Sequence, residues 1–157
     1  MTPTIQQQLR DVLNTSIQDT THHFAGIALS ENGESLSNDI CTVHTTWEGG
    51  CEAVFLMRAD RTLLTRLARI ILHSEAVAPQ DIEDVAMEYF NIICGRVAHG
   101  LFQVAHIPTR FQVPRFHPCS YLPEDEVTCR CVMNYSSGEQ ESVQLAFLGL
   151  SPSPPPQ

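Results

Sequence analysis

The sequence predicts an α+β protein: an antiparallel sheet of about six strands covered by helices, in the order helix, three strands, two helices, three strands. Helical periodicity is confined to three segments, near 4–18, 60–74 and 80–102, and the runs between them read as strands. Those strands follow one another through short turns instead of alternating with helices, which excludes a doubly wound parallel sheet.

Residues 4–18 set Ile5, Leu9, Val12, Leu13 and Ile17 on one helical stripe. Strand-like runs at 24–29 and 35–47 flank Glu31-Asn32-Gly33-Glu34, where Asn-Gly supplies the positive φ angles of a tight hairpin turn. Gly49-Gly50 turns the chain again into 51–57, so the three runs predict an antiparallel meander. Asp60 stands at an N-cap position ahead of a helix to about residue 74. That helix turns Leu63, Leu64, Leu67, Ile70 and Ile71 inward and Arg61, Arg66 and Arg69 outward. The 80–102 helix crowds Asp81, Glu83 and Asp84 into its first turn, where the helix dipole favours negative charge. Runs near 109–116, 126–135 and 140–149 complete the sheet, the last two joined by Ser136-Ser137-Gly138-Glu139.

The 157 residues suit one domain, read as 1–150, with SPSPPPQ at 151–157 a disordered proline-rich tail. Eighteen acids against nine bases give a net charge of −9, which opposes a phosphate-backbone binder, so no nucleic acid is expected. All nine bases are arginine. A chain without lysine has no P-loop lysine, kinase lysine, Schiff base or serine–lysine pair. No run of 18 apolar residues suggests a membrane span. The opening residues, MTPTIQQQLRDVL, lack a basic segment followed by an apolar one, so no export signal is expected there. Six cysteines then read as reduced, mostly buried thiols of a cytoplasmic protein.

The 80–102 helix has two unlike faces. At about 100° per residue, Ile82, Ala86, Tyr89, Ile93 and Val97 fall together and should pack on the sheet. Opposite them Asp84, Glu88, Asn91 and Gly95 form one exposed row. Acids at a helix start are favoured locally, but Asn and Gly in mid-helix cost on the order of 1.5 kcal/mol together against alanine. Gly95 removes bulk where a partner approaches, and Asn91 holds a donor and an acceptor on a rigid element.

The spacing runs Asp84-x-x-x-Glu88-x-x-Asn91, then 22 residues, then Pro114. This resembles the signature of the CheC/CheX/FliY chemotaxis phosphatases: an acid or serine, Glu and Asn on one helix and a proline 22 residues later. Four positions so spaced arise by chance on the order of once in a thousand chains of this length. The element order over roughly 3–150 is also similar to the CheX type, and the single motif copy differs from the two of CheC-type members.

The resemblance implies a hydrolase acting on the aspartyl phosphate of a response-regulator receiver domain such as CheY. In that role Glu88 would anchor the helix by engaging the receiver's lysine, and Asn91 would hold the attacking water. Asp84 and Pro114 complete the motif, Pro114 shaping the strand beneath the helix; Gly95, outside the motif, extends the partner-binding face on the helical row alone. No cofactor of the chain's own is implied, because the receiver supplies Mg²⁺. A homodimer joined through its sheets is implied as well. A chain without ordinary catalytic machinery fits such a reaction, since phosphoryl transfer needs positioning and charge neutralisation more than covalent help.

The competing site is metal. His117-x-Cys119 and Cys129-x-Cys131 supply four zinc-type donors, but one intervening residue is shorter than the usual two to four. Strand alternation sets Val127, Cys129, Cys131 and Met133 on one face as core, so no metal is expected. His99 follows Asn91 by eight residues and reads as a solvent-facing helix histidine near the edge of the row. The alternative to catalysis is a receiver-binding or sensor module that docks without hydrolysis.

Overall fold

In the computed structural model, which describes residues 4–31, 37–49, 52–121 and 127–150, three helices pack on one seven-stranded sheet. Helix α1 (Ile5–Ala25) starts at Thr4, whose hydroxyl accepts the Gln7 amide at 3.1 Å, and stops at Gly26 in the left-handed region. It runs well past the predicted end at 18. Residues 20–25, rich in Thr and His and read in part as a strand, stay helical because Thr20 and Thr21 are buried and Phe24 packs on the Tyr89 ring. The Thr21 hydroxyl donates to the Ile17 carbonyl and so accepts from the Tyr89 hydroxyl, tying α1 to the third helix. Tertiary contacts override weak helix propensity here. Ile5 is exposed and leaves the stripe, while Leu9, Val12, Leu13 and Ile17 are buried.

Strand β1 (Leu29–Glu31) is therefore shorter than expected and pairs elsewhere. Strands β2 (Ile40–Gly49) and β3 (Ala53–Asp60) form the predicted antiparallel pair, from Trp47 opposite Ala53 to Ile40 opposite Asp60. Helix α2 (Arg61–Leu72) and helix α3 (Pro79–Ala105) follow. Then come β4 (Thr109–Phe111), β5 (Arg115–His117), β6 (Val127–Ser137) and β7 (Ser142–Leu150). The sheet order is β1-β6-β7-β3-β2-β4, with β5 also on β2 and every pair antiparallel. The expected three-strand meander is thus corrected to a two-strand one. β1 lies at the far edge beside β6, with three strands between it and β2. The Asn32-Gly33 and Gly50 turn residues and the tail 151–157 lie outside the described residues.

The single run expected at 109–116 is two short strands on β2, separated around Pro114. Proline has no N–H to give the ladder and is confined to sheet edges and breaks. Gly49, at φ +100°, is required where the chain passes Pro108, whose carbonyl oxygen would lie 2.9 Å from an added Cβ.

The core lies between the sheet's inner face and the helices, with Trp47, Phe55, Phe147, Tyr89 and Phe90 fully buried. On α2, Leu63, Leu64 and Leu67 are buried as predicted, whereas Ile70 is exposed and Ile71 only half-buried. Asp60 occupies the N-cap position, but its side chain makes no cap bond. Its carboxylate accepts the Ser37 amide and hydroxyl at 3.1 and 2.6 Å and the Ser142 amide at 2.8 Å, tying the ends of β3 and β7 to the segment ahead of β2.

Candidate functional site

Helix α3 positions the row. Pro79 opens it, Asp81 accepts the Ala78 amide at 2.8 Å, and Ile82, Ala86, Tyr89, Ile93 and Val97 are all buried as predicted. With that face fixed on the core, Asp84, Glu88, Asn91 and Gly95 are exposed, as the helical wheel requires.

Three of the four row residues and Pro114 meet in one open groove of about 600 Å³. One wall is α3, through Glu83, Asp84, Met87, Glu88 and Asn91. The other is the β4–β5 segment, through Phe111, Gln112, Val113, Pro114 and Phe116. Pro114 is buried, and the segment between β4 and β5 forms the second wall against the helix. Gly95 continues the row but lies outside the groove lining, and a Cβ added there would meet nothing within 4 Å beyond its own helix backbone.

Polar partners divide the acids into two kinds. The Gln80 carboxamide donates to Asp84 Oδ1 and to Glu83 Oε2, both at 2.9 Å, and holds the first turn together. Glu88 and Asn91 have no side-chain hydrogen bond or ion pair among the described residues. Both project from a rigid helix into solvent, one carboxylate and one carboxamide three residues apart. Residues so spaced are neighbours on a helix surface, about 5–6 Å between Cβ atoms. The arrangement can meet a cation with one group while the other orients a water.

Motif spacing points to the second wall only at Pro114. Sequence neighbours of Pro114 were the available signal, because a groove wall fixed at one residue includes those beside it. Gln112 is pinned at three points. Its amide donates to the Thr46 carbonyl at 3.0 Å, its carbonyl accepts the Thr45 hydroxyl at 2.5 Å, and its side chain donates to Glu48 at 2.9 Å.

His99 does not border this groove. It lines a separate depression of about 480 Å³ between α1 and α3, with Asp11, Asp19 and Arg96. Of the zinc-type donors, His117 has a partner other than a cysteine. His117 Nε2 meets His44 Nδ1 at 3.1 Å, under the stacked ring of Tyr121. Burial and the nearby Arg115 hold both imidazoles below the ordinary histidine range, with His117 adding to the effect on His44. Cys119 is exposed and Cys131 buried, and the side chain of Cys129 lies outside the described residues. Among the described residues no three His, Cys, Asp or Glu side chains gather as a metal site would need. No helix among them is long and apolar enough to cross a membrane.

No protein-family model matches this sequence, and no curated protein is similar enough in sequence to match it. The architecture does have close counterparts. It is similar to the chemotaxis protein CheX from Vibrio vulnificus, with a TM-score of 0.75 at 13% identity over 90% of this chain and 97% of that one. A chain of the CheX–CheY–BeF3–Mg²⁺ complex from Borrelia burgdorferi gives 0.69 at 12% identity, covering 90% of this chain and 97% of that one. FliY from Thermotoga maritima gives 0.63 at 14% identity, covering 96% and 92%. The class defined by this architecture is an α+β fold, one antiparallel sheet covered by helices. More particularly, the fold is that of the CheX, CheC-like and FliY proteins.

Proposed function

We propose that this chain is a CheX-type member of the CheC/CheX/FliY phosphatases and hydrolyses the aspartyl phosphate of a CheY-like receiver domain. The observation that carries the reading is the convergence of Asp84, Glu88, Asn91 and Pro114 on one groove, with Glu88 and Asn91 both free to engage a partner. Glu88 anchors the helix on the receiver's lysine. Asn91 enters the phosphorylated site, where its carboxamide oxygen accepts a hydrogen bond from the attacking water and adds no negative charge beside the phosphoryl group. Water attacks phosphorus in line, the bond from phosphorus to the aspartyl oxygen breaks, and carboxylate and inorganic phosphate leave. The Mg²⁺ ion that offsets the phosphoryl charge belongs to the receiver, so this chain contributes position more than charge.

Further parts of the reading are a homodimer joined at sheet edges and a cytoplasmic location, where phosphorylated receivers act. An exposed edge invites such pairing, and β1 is an edge of three residues. A monomeric mass at micromolar concentration would count against the dimer.

The decisive assay mixes the protein with a phosphorylated CheY-type receiver and follows the phosphate. Faster decay is expected. In the Asn91→Ala variant, turnover should fall at least about 100-fold, on the order of 3 kcal/mol in the barrier, with binding little changed. Glu88→Ala should weaken docking instead, and parent binding should weaken as salt rises because the contact is solvent-accessible. Complex formation with unchanged decay would establish the non-catalytic receiver-binding module in place of the enzyme.

A further inference from the structure

The groove is divided along its length. Its α3 side carries the carboxylates of Glu83, Asp84 and Glu88, and its β4–β5 side carries the apolar Phe111, Val113 and Phe116. Val113 is the most exposed large apolar side chain among the described residues, at 82%. A lone exposed valine needs no explanation, but this one sits beside Phe111 and Phe116, both half-buried, with Met87 across the groove.

The backbone around Val113 is held still. On one side Gln112 is fixed through its amide, carbonyl and side chain to β2 residues Thr46, Thr45 and Glu48. On the other, Pro114 is buried and its ring locks φ. Stability alone gains little from presenting an apolar side chain to water on so restrained a segment. Binding gains from it, because a side chain ordered beforehand loses less freedom when it is covered.

We infer that Val113 is the apolar anchor of the receiver-docking surface, acting on the opposite wall from Glu88. This rests on the function proposed above and specifies the partner's chemistry. The docking face should present a cationic side chain to the carboxylate wall and, beside it, an apolar side chain to the valine shelf. Charge complementarity commits the occupant: a chain of net charge −9, with three carboxylates on one wall, takes a lysine-bearing receiver surface.

The test measures affinity for a CheY-type receiver held in its BeF3–Mg²⁺ state, and decay of the phosphorylated form, for Val113→Asp, Val113→Ser, Asn91→Ala and a control, Ile5→Asp. Ile5 is also well exposed, at 67%, and lies outside the groove. Val113→Asp should weaken binding at least 10-fold and raise KM accordingly, with kcat at saturation kept. Val113→Ser should fall between it and the parent, and Ile5→Asp should match the parent. Parent-like affinity in Val113→Asp overturns the inference, and if Asn91→Ala then still loses turnover, the phosphatase reading stands without it. A parent protein that neither binds nor dephosphorylates the receiver removes both.

Discussion

Two regions of the molecule carry acids, and the acids are treated in opposite ways. At the corner where β3 runs into α2, Asp60 is buried and its carboxylate accepts three hydrogen bonds. Glu141, just before β7, is also buried, bonded to Arg66 Nε at 3.1 Å and to the Ser137 hydroxyl at 2.8 Å. On α3, Glu88 is exposed without any such partner among the described residues. A buried carboxylate must be satisfied within the fold or it destabilises it. A free one on a rigid helix contributes nothing to the fold and is available for something else. Environment, more than residue type, separates the acids that hold the fold together from the one left available to a partner.

The largest effect expected from this contrast is on stability at the corner. Asp60→Ala leaves the Ser142 amide without its acceptor in the interior and frees the segment at Ser37. Unfolding free energy should drop by about 3 kcal/mol or more, from several lost bonds to a charged acceptor. Glu88→Ala should stay within about 0.5 kcal/mol of the parent. Urea titration of the two variants breaks the comparison if Glu88→Ala proves the more damaging.

The two regions also differ in how legible they were. The α3 row could be read because a helix writes its faces locally: the same period that buries Ile82, Tyr89 and Ile93 exposes Glu88 and Asn91. Sheet order has no such local record. Nothing in 29–31 says that its partner is 135–137, at the other end of the chain, and a turn-like Asn-Gly beside it favours the wrong neighbour. The second half of α1 is illegible for a related reason, since the contacts that keep residues 20–25 helical come from Tyr89 on α3. Asp60 could be placed at a helix start from sequence, but its true donors, Ser37 and Ser142, lie on other segments. Of the groove, the helical wall was therefore readable and the β4–β5 wall was not, apart from Pro114.

A smaller effect concerns a third set of polar groups, the His44–His117 pair. Both histidines are half-buried between β2 and β5, under Tyr121 and near Arg115, which disfavours a proton on either. Their folded pKa values are lowered, so the unfolded chain takes up protons first as pH falls through about 6.5. The contribution is fully present above that pH and is lost progressively as pH drops toward the lower folded values. Unfolding free energies at pH 7.5 and 5.5 for the parent and for a His44→Gln/His117→Gln variant measure it. The parent should lose more stability on acidification than the variant, and equal losses would show that the pair does not couple protonation to folding.

The smallest effects come from two glycines on α3, and they should differ in sign. Alanine is favoured over glycine in a helix interior by up to about 1 kcal/mol. At Gly100 the added Cβ would lie 2.8 Å from Val12 Cγ1 and 3.4 Å from Cγ2, where α1 and α3 cross. Val12 is buried and β-branched, with little freedom to turn aside. Overpacking costs about 1–3 kcal/mol, so Gly100→Ala should be destabilising by about 1 kcal/mol after the helix gain. At Gly95 nothing lies within 4 Å, and the helix gain should appear almost undiminished as added stability. On the proposed function that same methyl group stands in the face that meets the receiver, one helical turn beyond Asn91. Gly95→Ala should then fold more tightly while binding the BeF3–Mg²⁺ receiver a few-fold more weakly. Thermal unfolding and a binding titration on one preparation read both numbers. Added stability with undiminished affinity would end the docking face at Asn91 and leave Gly95 an ordinary solvent position.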